Sequence, residues 1–282
     1  MQMSRSSDVR THHLHRPGGT LAYDVRGSGP LVVASPGIGD RRQGYRFLAA
    51  DLVAAGYRVA TVDLRGHGGS STGWTDHGEA AVAQDLIALA EHLASAPGER
   101  VAIVGNSYSG GAAVVAAARR PDLVAALVLS GAFVRDVPQT PAQRLASWVV
   151  TRTPLGRAAW NAYIPSLYAG TKPPDFAAEV AAVRANLAEP GRFAAVVAMA
   201  RSGHAAAEAA LAAVTTPTLV VMGDRDPDFP DPAGEAADTA TRLDGPAEVL
   251  MVEGTGHYPH VQAPQVVSPA VVAFLALHLP AR

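Results

Sequence analysis

One serine of this 282-residue chain stands in a setting suited to nucleophilic chemistry. The stretch VAIVGNSYSGGAAVVAAARRP, residues 101–121, runs from a strand-like apolar segment through small residues into an alanine-rich, helix-like segment. Gly105 and Ser109 lie two positions before and after Ser107, so a strand and a helix can nearly touch at this turn. Backbone strain at such a turn lifts the hydroxyl out of the sheet. The pattern predicts that Ser107 is a nucleophile; the alternative is a serine that caps a helix.

A serine hydroxyl becomes nucleophilic only when a base takes its proton, and the base needs an orienting acid. Two later segments supply such groups, each directly after an apolar, strand-like run. GDRDPDFP begins at residue 223 and contains three aspartates, and GTGHYPH begins at residue 254 and contains two histidines. The chain order is therefore serine, acid, base. The candidate acids and bases are Asp224, Asp226, Asp228, His257 and His260.

Strand-like runs that alternate with helix-like runs must position these side chains. LVVAS, residues 31–35, is a continuous apolar run of the kind found in strands buried on both faces. Residues 79–96 instead place their leucines and valine on one helical face. This alternation predicts an α/β fold with a doubly wound, mostly parallel, eight-stranded sheet. The predicted strands lie near residues 11–15, 20–27, 31–35, 57–64, 100–105, 123–131, 216–223 and 247–254.

The alternation stops between residues 136 and 214. This region has no strand-like run, only alanine-rich helical stretches that prolines separate. We interpret it as an all-helical insertion between two strands of one sheet. The predicted organisation is a core domain formed by residues 1–135 and 215–282, with residues 136–214 as a helical cap, or lid, inserted in it.

Five motifs together resemble the α/β-hydrolase fold superfamily, specifically its capped serine hydrolases of the esterase, lipase and peroxidase-like kind. GNSYSG is similar to the family's nucleophile elbow, and DLRGHGGS, residues 63–70, is similar to its D-x-R-G-x-G-x-S loop. SPGIGD stands where the family has its oxyanion-hole turn, and GDRDPDFP and GTGHYPH stand at its acid and histidine loops. The resemblance covers nearly the whole chain, and the motifs follow the family's order.

The resemblance implies a role for each matching residue. Ser107 would be the nucleophile, His257 the general base and Asp226 the acid that orients it. Backbone N–H groups of Ile38 and Tyr108 would form the oxyanion hole. Asp228 and, less directly, Asp136 are alternative acids, and His260 is an alternative base.

Two positions depart from the family pattern. The oxyanion turn has Pro36 before Gly37 where histidine is common, and Ser109 stands where the elbow usually has glycine. We expect both to be tolerated, because the oxyanion donors are backbone N–H groups and serine is small. The nucleophile position is not aspartate, which argues against the chemistry of haloalkane dehalogenases and epoxide hydrolases.

The cap is expected to wall a mostly apolar pocket above the serine and to exclude water from it. Aromatic and sulfur-containing side chains in the predicted cap are candidates for the pocket wall. The substrate-pocket candidates are Trp148, Trp160, Tyr163, Tyr168 and Met199.

The implied activity is hydrolysis of a small-to-medium carboxylic ester through an acyl-enzyme, with neither cofactor nor metal. Alternatives that keep the triad act on a carbon–carbon bond, a lactone, a thioester or a peroxide, and a further alternative is a non-catalytic small-molecule receptor. An unperturbed imidazole base predicts a rise in activity with pH, with an apparent pKa of about 6 to 7.

Composition limits the partners. A formal net charge of −2 gives no field that would attract nucleic acid. The absence of cysteine excludes disulfides and a thiol nucleophile. The first residues lack the apolar segment of a secretory signal, and no run is long enough to span a membrane, so we expect a cytoplasmic protein. The expected partner is a small-molecule substrate, and no sequence feature selects an oligomeric state.

Overall fold

The computed structural model describes residues 10–281 and contains one eight-stranded sheet. Its strands are β1 (Thr11–Arg16), β2 (Gly19–Arg26), β3 (Leu31–Ser35), β4 (Arg58–Val62), β5 (Val101–Asn106), β6 (Val124–Ser130), β7 (Thr218–Gly223) and β8 (Ala247–Val252). The order across the sheet is β1-β2-β4-β3-β5-β6-β7-β8. β2 pairs antiparallel with β1 and β4, and the other pairs are parallel. The predicted mostly parallel, eight-stranded α/β fold is confirmed.

The central strands owe their position to continuous apolar sequence. All residues of β3, β5, β6 and β7 are buried, as expected when helices cover both faces of a parallel sheet. In the register of the sheet, Gly105 of β5 lies beside Ser35 of β3, and Asn106 lies beside Ser130 of β6. The carboxyl ends of these three strands therefore lie side by side, which brings the loops that follow them to one edge.

Helices lie on both faces of the sheet and in the segment between β6 and β7. They are α1 (Arg46–Ala54), α2 (Glu79–Leu93), α3 (Tyr108–Arg119), α4 (Pro141–Arg152), α5 (Gly156–Leu167), α6 (Phe176–Ala188), α7 (Arg192–Ser202), α8 (Ala205–Ala210), α9 (Pro232–Arg242), α10 (Pro259–Gln262) and α11 (Pro264–His278). Helices α2 and α3 pack on one face of the sheet, and α1 and α11 pack on the other. No helix within residues 10–281 is long and apolar enough to cross a membrane.

The segment between β6 and β7 contains α4 to α8 and no strand of the sheet. It is helical, as the proline-divided, alanine-rich sequence predicted, and one isolated bridge joins Gly170 to Thr255 near the histidine loop. Side chains of α5, α6 and α7 form a separate apolar cluster that also includes Tyr258 and Val261. The end of the segment behaves differently, because Ala207 of α8 is buried in the large cluster beside α2 and α3.

Candidate active site

Ser107 occupies the turn between β5 and α3. Its backbone has φ 55° and ψ −125°, and it is the non-glycine residue with positive φ within residues 10–281. This conformation is costly and persists only where surrounding contacts impose it. Here the Ser107 N–H donates to the carbonyl of Ser130 at 3.0 Å, and its own carbonyl accepts from Gly110 at 2.9 Å and from Phe133 at 3.2 Å. Three backbone hydrogen bonds thus hold the strained turn in place.

Close approach explains the small residues around Ser107. A Cβ on Gly105 would lie 2.7 Å from the backbone nitrogen of Gly110, and one on Gly37 would lie 2.6 Å from the Ser107 Cβ. Both distances are far below van der Waals contact, so neither position accepts alanine without a backbone shift. The turn after β3 therefore lies directly against the serine.

Ser109 has a structural role that the sequence did not reveal. Its side chain is fully buried, and its hydroxyl donates to the carbonyl of Pro36 at 2.5 Å and lies 2.9 Å from the hydroxyl of Ser35. The serine that replaces the family's glycine thus joins the turn after β5 to the turn after β3. The available signal was a serine at the end of β3 and a second serine three residues after β5, the neighbouring strand.

Two backbone N–H groups near Ser107 are free. Tyr108 is the first residue of α3, where helix geometry leaves the N–H without an intrahelical acceptor. Ile38 follows Gly37, the residue in contact with Ser107. Neither N–H donates a hydrogen bond in the part of the chain that the structure describes. Free N–H donors suit a developing negative charge, and that of Tyr108 also lies at a helix start.

His257 and Asp226 form a buried pair. Asp226 follows β7 and His257 follows β8, and His257 Nδ1 lies 2.8 Å from Asp226 Oδ2, with both residues 2% exposed. Gly131 keeps the space beside them open, because a Cβ there would come within 3.2 Å of His257 Nδ1. A carboxylate at this nitrogen fixes the ring tautomer and leaves Nε2 for proton transfer.

Asn106 connects the serine turn to the histidine loop. Its side-chain nitrogen donates to the carbonyl of Ser130 at 2.8 Å and to the carbonyl of His257 at 3.2 Å. Asn106, the residue before Ser107, is therefore hydrogen-bonded to the backbone of His257. The Ser107 hydroxyl itself has no hydrogen-bond partner within residues 10–281.

Asp228 is also close to the imidazole. Its Oδ2 lies 3.5 Å from His257 Nδ1, and its Oδ1 accepts a short hydrogen bond from the Tyr163 hydroxyl of α5. The backbone N–H of Asp228 donates to the other oxygen of Asp226 at 3.0 Å. Both candidate acids thus lie near His257 Nδ1, and Asp226 is the closer of the two.

The other candidate acids and base lie elsewhere. Asp224 accepts from the N–H of Gly254 at 2.7 Å, which joins the two loops as a turn residue. Asp136 accepts from the backbone N–H of His204 at 3.1 Å. His260 stacks on Tyr45 with ring centroids 4.9 Å apart, and burial lowers the pKa of its imidazole to about 3.

Charge around His257 sets its protonation. Burial alone lowers the pKa of His257, but attraction to the Asp226 and Asp228 carboxylates outweighs it and raises the pKa to about 9. Burial also raises the pKa of the Asp228 carboxyl, and the imidazole opposes that rise. The imidazole accordingly holds its proton at neutral pH more strongly than a free imidazole.

Three ligand-type atoms cluster at this point. One atom each of Asp226, Asp228 and His257 lies within 4.8 Å of the others. We assign them as a hydrogen-bonded group and not as metal ligands, because Nδ1 already binds Asp226 and Tyr163 already binds Asp228. No cofactor is assigned to the site.

A small cavity adjoins the turn after β3. Its wall is mostly aliphatic and aromatic, which suits an apolar part of a small molecule. Residues of α5 and α6 form much of it. The lining residues are Ile38, Gly39, Asp40, Trp160, Ile164, Leu167, Tyr168, Val180, Val183 and Tyr258.

The predicted pocket residues divide into two groups. Trp160 and Tyr168 line the cavity, and Tyr163 contacts Asp228 beside it. Met199 does not line the cavity, because it is fully buried in the large cluster that packs on α2 and α3. Trp148 is also absent from the wall: it is 57% exposed, on α4, a helix without a buried residue.

Asp40 is a cavity residue that the sequence reasoning missed. It is 5% exposed and has no ion-pair partner within residues 10–281, although its Oδ1 accepts from the Arg41 N–H at 2.7 Å. Burial raises the pKa of this carboxyl to about 7. Its position two residues after Ile38, in the SPGIGD turn, was the available signal.

The strand order, the strained serine turn after β5 and the helical segment between β6 and β7 define an α/β-hydrolase. Comparison with protein families agrees, since the family described as serine aminopeptidase, S33, matches residues 20–257. The chain belongs to this family.

Individual relatives are similar over different lengths. A 2-(acetamidomethylene)succinate hydrolase of Mesorhizobium japonicum is 27% identical over 267 residues, which cover 91% of each chain. An uncharacterized protein of Mycobacterium tuberculosis is 37% identical over 130 residues, which are 45% of this chain and 36% of that protein. The chain thus matches about a third of the length of the mycobacterial relatives. The enol-lactonase of Burkholderia xenovorans LB400 has the same fold, with a TM-score of 0.78, 21% identity, and coverage of 94% of this chain and 100% of that one.

Proposed function

We propose that this hydrolase cleaves small-to-medium carboxylic esters through an acyl-enzyme formed on Ser107. The observation that carries the proposal is the His257–Asp226 pair at 2.8 Å, joined through Asn106 to the strained turn of Ser107. Nucleophile, base and orienting acid are the three parts that acyl transfer by serine requires.

The proposed reaction begins when Ser107 Oγ attacks the ester carbonyl and its proton passes to His257 Nε2. Asp226 holds the Nδ1–H and stabilises the imidazolium that forms. The carbonyl oxygen becomes an oxyanion that accepts from the N–H groups of Ile38 and Tyr108.

The tetrahedral intermediate then collapses. Its bond to the leaving alcohol breaks, and the imidazolium gives that alcohol its proton. Water, deprotonated by the same imidazole, next attacks the acyl carbonyl and releases the carboxylic acid, and Ser107 regains its proton. No oxidant, metal or cofactor enters this cycle.

The helical segment supports the predicted domain division. We propose that residues 136–214 act as a cap on a core formed by residues 1–135 and 215–282. Helices α5 and α6 supply the wall of the cavity opposite Ile38, and they pack in an apolar cluster of their own. The burial of α8 beside α2 and α3 anchors the end of the cap to the core.

The lining of the cavity supports an apolar acyl group. Its aliphatic residues Ile164, Leu167 and Val180 would contact an acyl chain. The proposed partner of the protein is accordingly a small-molecule ester.

Two relatives favour a second candidate in which the same residues act on another acyl group. One relative is named as a hydrolase of 2-(acetamidomethylene)succinate, and the enol-lactonase shares the fold. A lactone or a carbon–carbon bond next to a carbonyl would undergo the same attack by Ser107. The buried Asp226–His257 pair argues against a non-catalytic receptor, since a pure binder does not need it.

The test combines active-site labelling with a substrate panel. A fluorophosphonate should label the wild-type protein and S95A, which changes an exposed serine, but not S107A. The panel should contain p-nitrophenyl esters of increasing acyl length, lactones and thioesters. Ser107-dependent turnover of the esters supports the proposal, turnover of lactones alone favours the second candidate, and labelling of S107A equal to that of wild type contradicts both.

A further inference from the structure

Helix α5 contacts the loops that carry Asp226 and His257 at two points. The Tyr163 hydroxyl donates to the carboxylate of Asp228, and the carbonyl of Leu167 accepts from the backbone N–H of His257 at 2.8 Å. Gly256 permits this approach, because a Cβ there would collide with the Leu167 carbonyl oxygen. One helix of the cap therefore holds both the base and its second carboxylate.

The same helix also forms the cavity wall. Trp160, Ile164 and Leu167 line the cavity, while Tyr163, one turn of helix after Trp160, reaches the Asp228 carboxylate. A shift of α5 would therefore change the cavity and the contact with Asp228 together. Neither the acyl-transfer mechanism nor the contact of Asp226 with the imidazole requires such a link.

We propose that Asp228 is a positioning residue for His257 and that Tyr163 couples its action to the seating of α5. The inference rests on the proposed function and adds a residue to it. Asp226 holds Nδ1 by a hydrogen bond, whereas Asp228, at 3.5 Å, adds a second negative charge to the same nitrogen. That charge stabilises the imidazolium that forms when the base takes the serine proton.

Tyr163 controls how much of this charge is present. Burial disfavours the Asp228 anion and raises the pKa of its carboxyl, while the hydrogen bond from Tyr163 opposes that rise. When α5 is seated, the hydroxyl keeps Asp228 ionised beside the ring; without the hydroxyl, more of the carboxyl is neutral. The titratable groups that act on the imidazole are Asp226, Asp228, Asp40, Tyr258 and His260, whereas Tyr163 contacts Asp228 and not the ring.

The test measures the pKa of His257 directly, by NMR titration of its imidazole, and in parallel the pH profile of kcat/KM for a p-nitrophenyl ester. The imidazole signal is assigned by its loss in H257Q. The variants are D228N, Y163F and the double variant D228N/Y163F. D224N is the matched control, since it removes a charge from the same loop at a residue that bonds Gly254.

We expect D228N to lower the pKa of His257 by about one unit or more, because an anion near the ring is removed. Y163F should lower the pKa in the same direction but by less, since Asp228 then becomes more neutral. The double variant should titrate as D228N does, because Tyr163 acts through Asp228. D224N should leave the pKa within about 0.3 unit of wild type.

An unchanged His257 pKa in D228N, or additive shifts in the double variant, would overturn the inference. If a thermal melt shows that D228N does not fold, the His257 pKa in Y163F is compared with that in D224N. A lower pKa in Y163F alone supports the inference, and equal values overturn it. The two proposals separate cleanly. Loss of the expected ester turnover with the imidazole shift intact contradicts the proposed function, whereas Ser107-dependent turnover without that shift contradicts only the role of Asp228.

Discussion

Asp226 Oδ2 lies 2.8 Å from His257 Nδ1, although the two residues are 31 positions apart and follow different strands. The contact exists because β7 and β8 are parallel neighbours, so the loops at their carboxyl ends meet. Both side chains are buried, and Asn106 ties the backbone of His257 to the strand that leads to Ser107. The proposed chemistry follows from this arrangement.

Replacing Asp226 by asparagine should lower kcat/KM by about 10⁴-fold at neutral pH, because an amide at Nδ1 favours the wrong ring tautomer. The measurement is steady-state hydrolysis of the ester that the wild type cleaves best. D224N, which alters the neighbouring turn, should keep wild-type activity. Equal activity of D226N and wild type would remove Asp226 from the role of orienting acid.

Activity should rise with pH and reach half its maximum near pH 9, because His257 accepts a proton only when it is neutral and its pKa is raised to about 9. This replaces the value of about 6 to 7 expected for an unperturbed imidazole. A pH series of kcat/KM measures it. A midpoint near pH 6 would show that the carboxylates do not hold the imidazolium as the geometry implies.

The same pKa makes stability depend on pH. A histidine whose pKa is higher in the folded protein than in the unfolded chain stabilises the fold. The stabilisation is complete below the pKa of the unfolded chain, about 6.5, and is lost as the pH rises to the pKa of the folded protein. For His257 the loss should fall between about pH 6.5 and 9. Urea unfolding of wild type and H257Q at several pH values checks this, and the difference between them should shrink toward high pH.

Trp160 should control acyl-chain preference, because its ring lines the cavity and contacts Gly39. W160A should move the preferred p-nitrophenyl ester to a longer chain. W148A is the matched control, since Trp148 is 57% exposed and does not line the cavity. Identical chain-length profiles for W160A and wild type would place the acyl group elsewhere.

Ser109 should contribute to stability more than to chemistry. S109A leaves the Pro36 carbonyl without its donor and should cost about 1–3 kcal/mol of unfolding free energy. Urea denaturation measures the change, and fluorophosphonate labelling of Ser107 shows whether the turn is kept. Unchanged stability would mean that the hydrogen bond between the two turns contributes nothing.

Much of the fold could be predicted because its strands are short, continuous apolar runs separated by helical ones. The serine turn could be recognised because Gly105 and Ser109 satisfy a steric requirement that leaves few other residues. Side chains that depend on long-range packing were harder. Asp226 and Asp228 share one turn, and only the relative position of β7 and β8 decides which carboxylate lies nearer the imidazole.

The helical segment between β6 and β7 was the least predictable part. Trp148 and Trp160 are both aromatic residues on its helices, yet one is exposed and the other lines the cavity. Their helical faces are set by contacts with the core, which the local sequence does not encode. Asp40 escaped notice because its burial results from α5 and α6 covering the turn after β3.

The central claim is that Ser107 becomes acylated during turnover. The most direct measurement is acid quench of the reaction in the steady state, trypsin digestion and tandem mass spectrometry of the peptide spanning residues 101–119, which contains both Ser107 and Ser109. We predict the acyl mass on Ser107 in wild type and none in S107A. An adduct on Ser109, or turnover in S107A equal to wild type, would contradict the proposed mechanism.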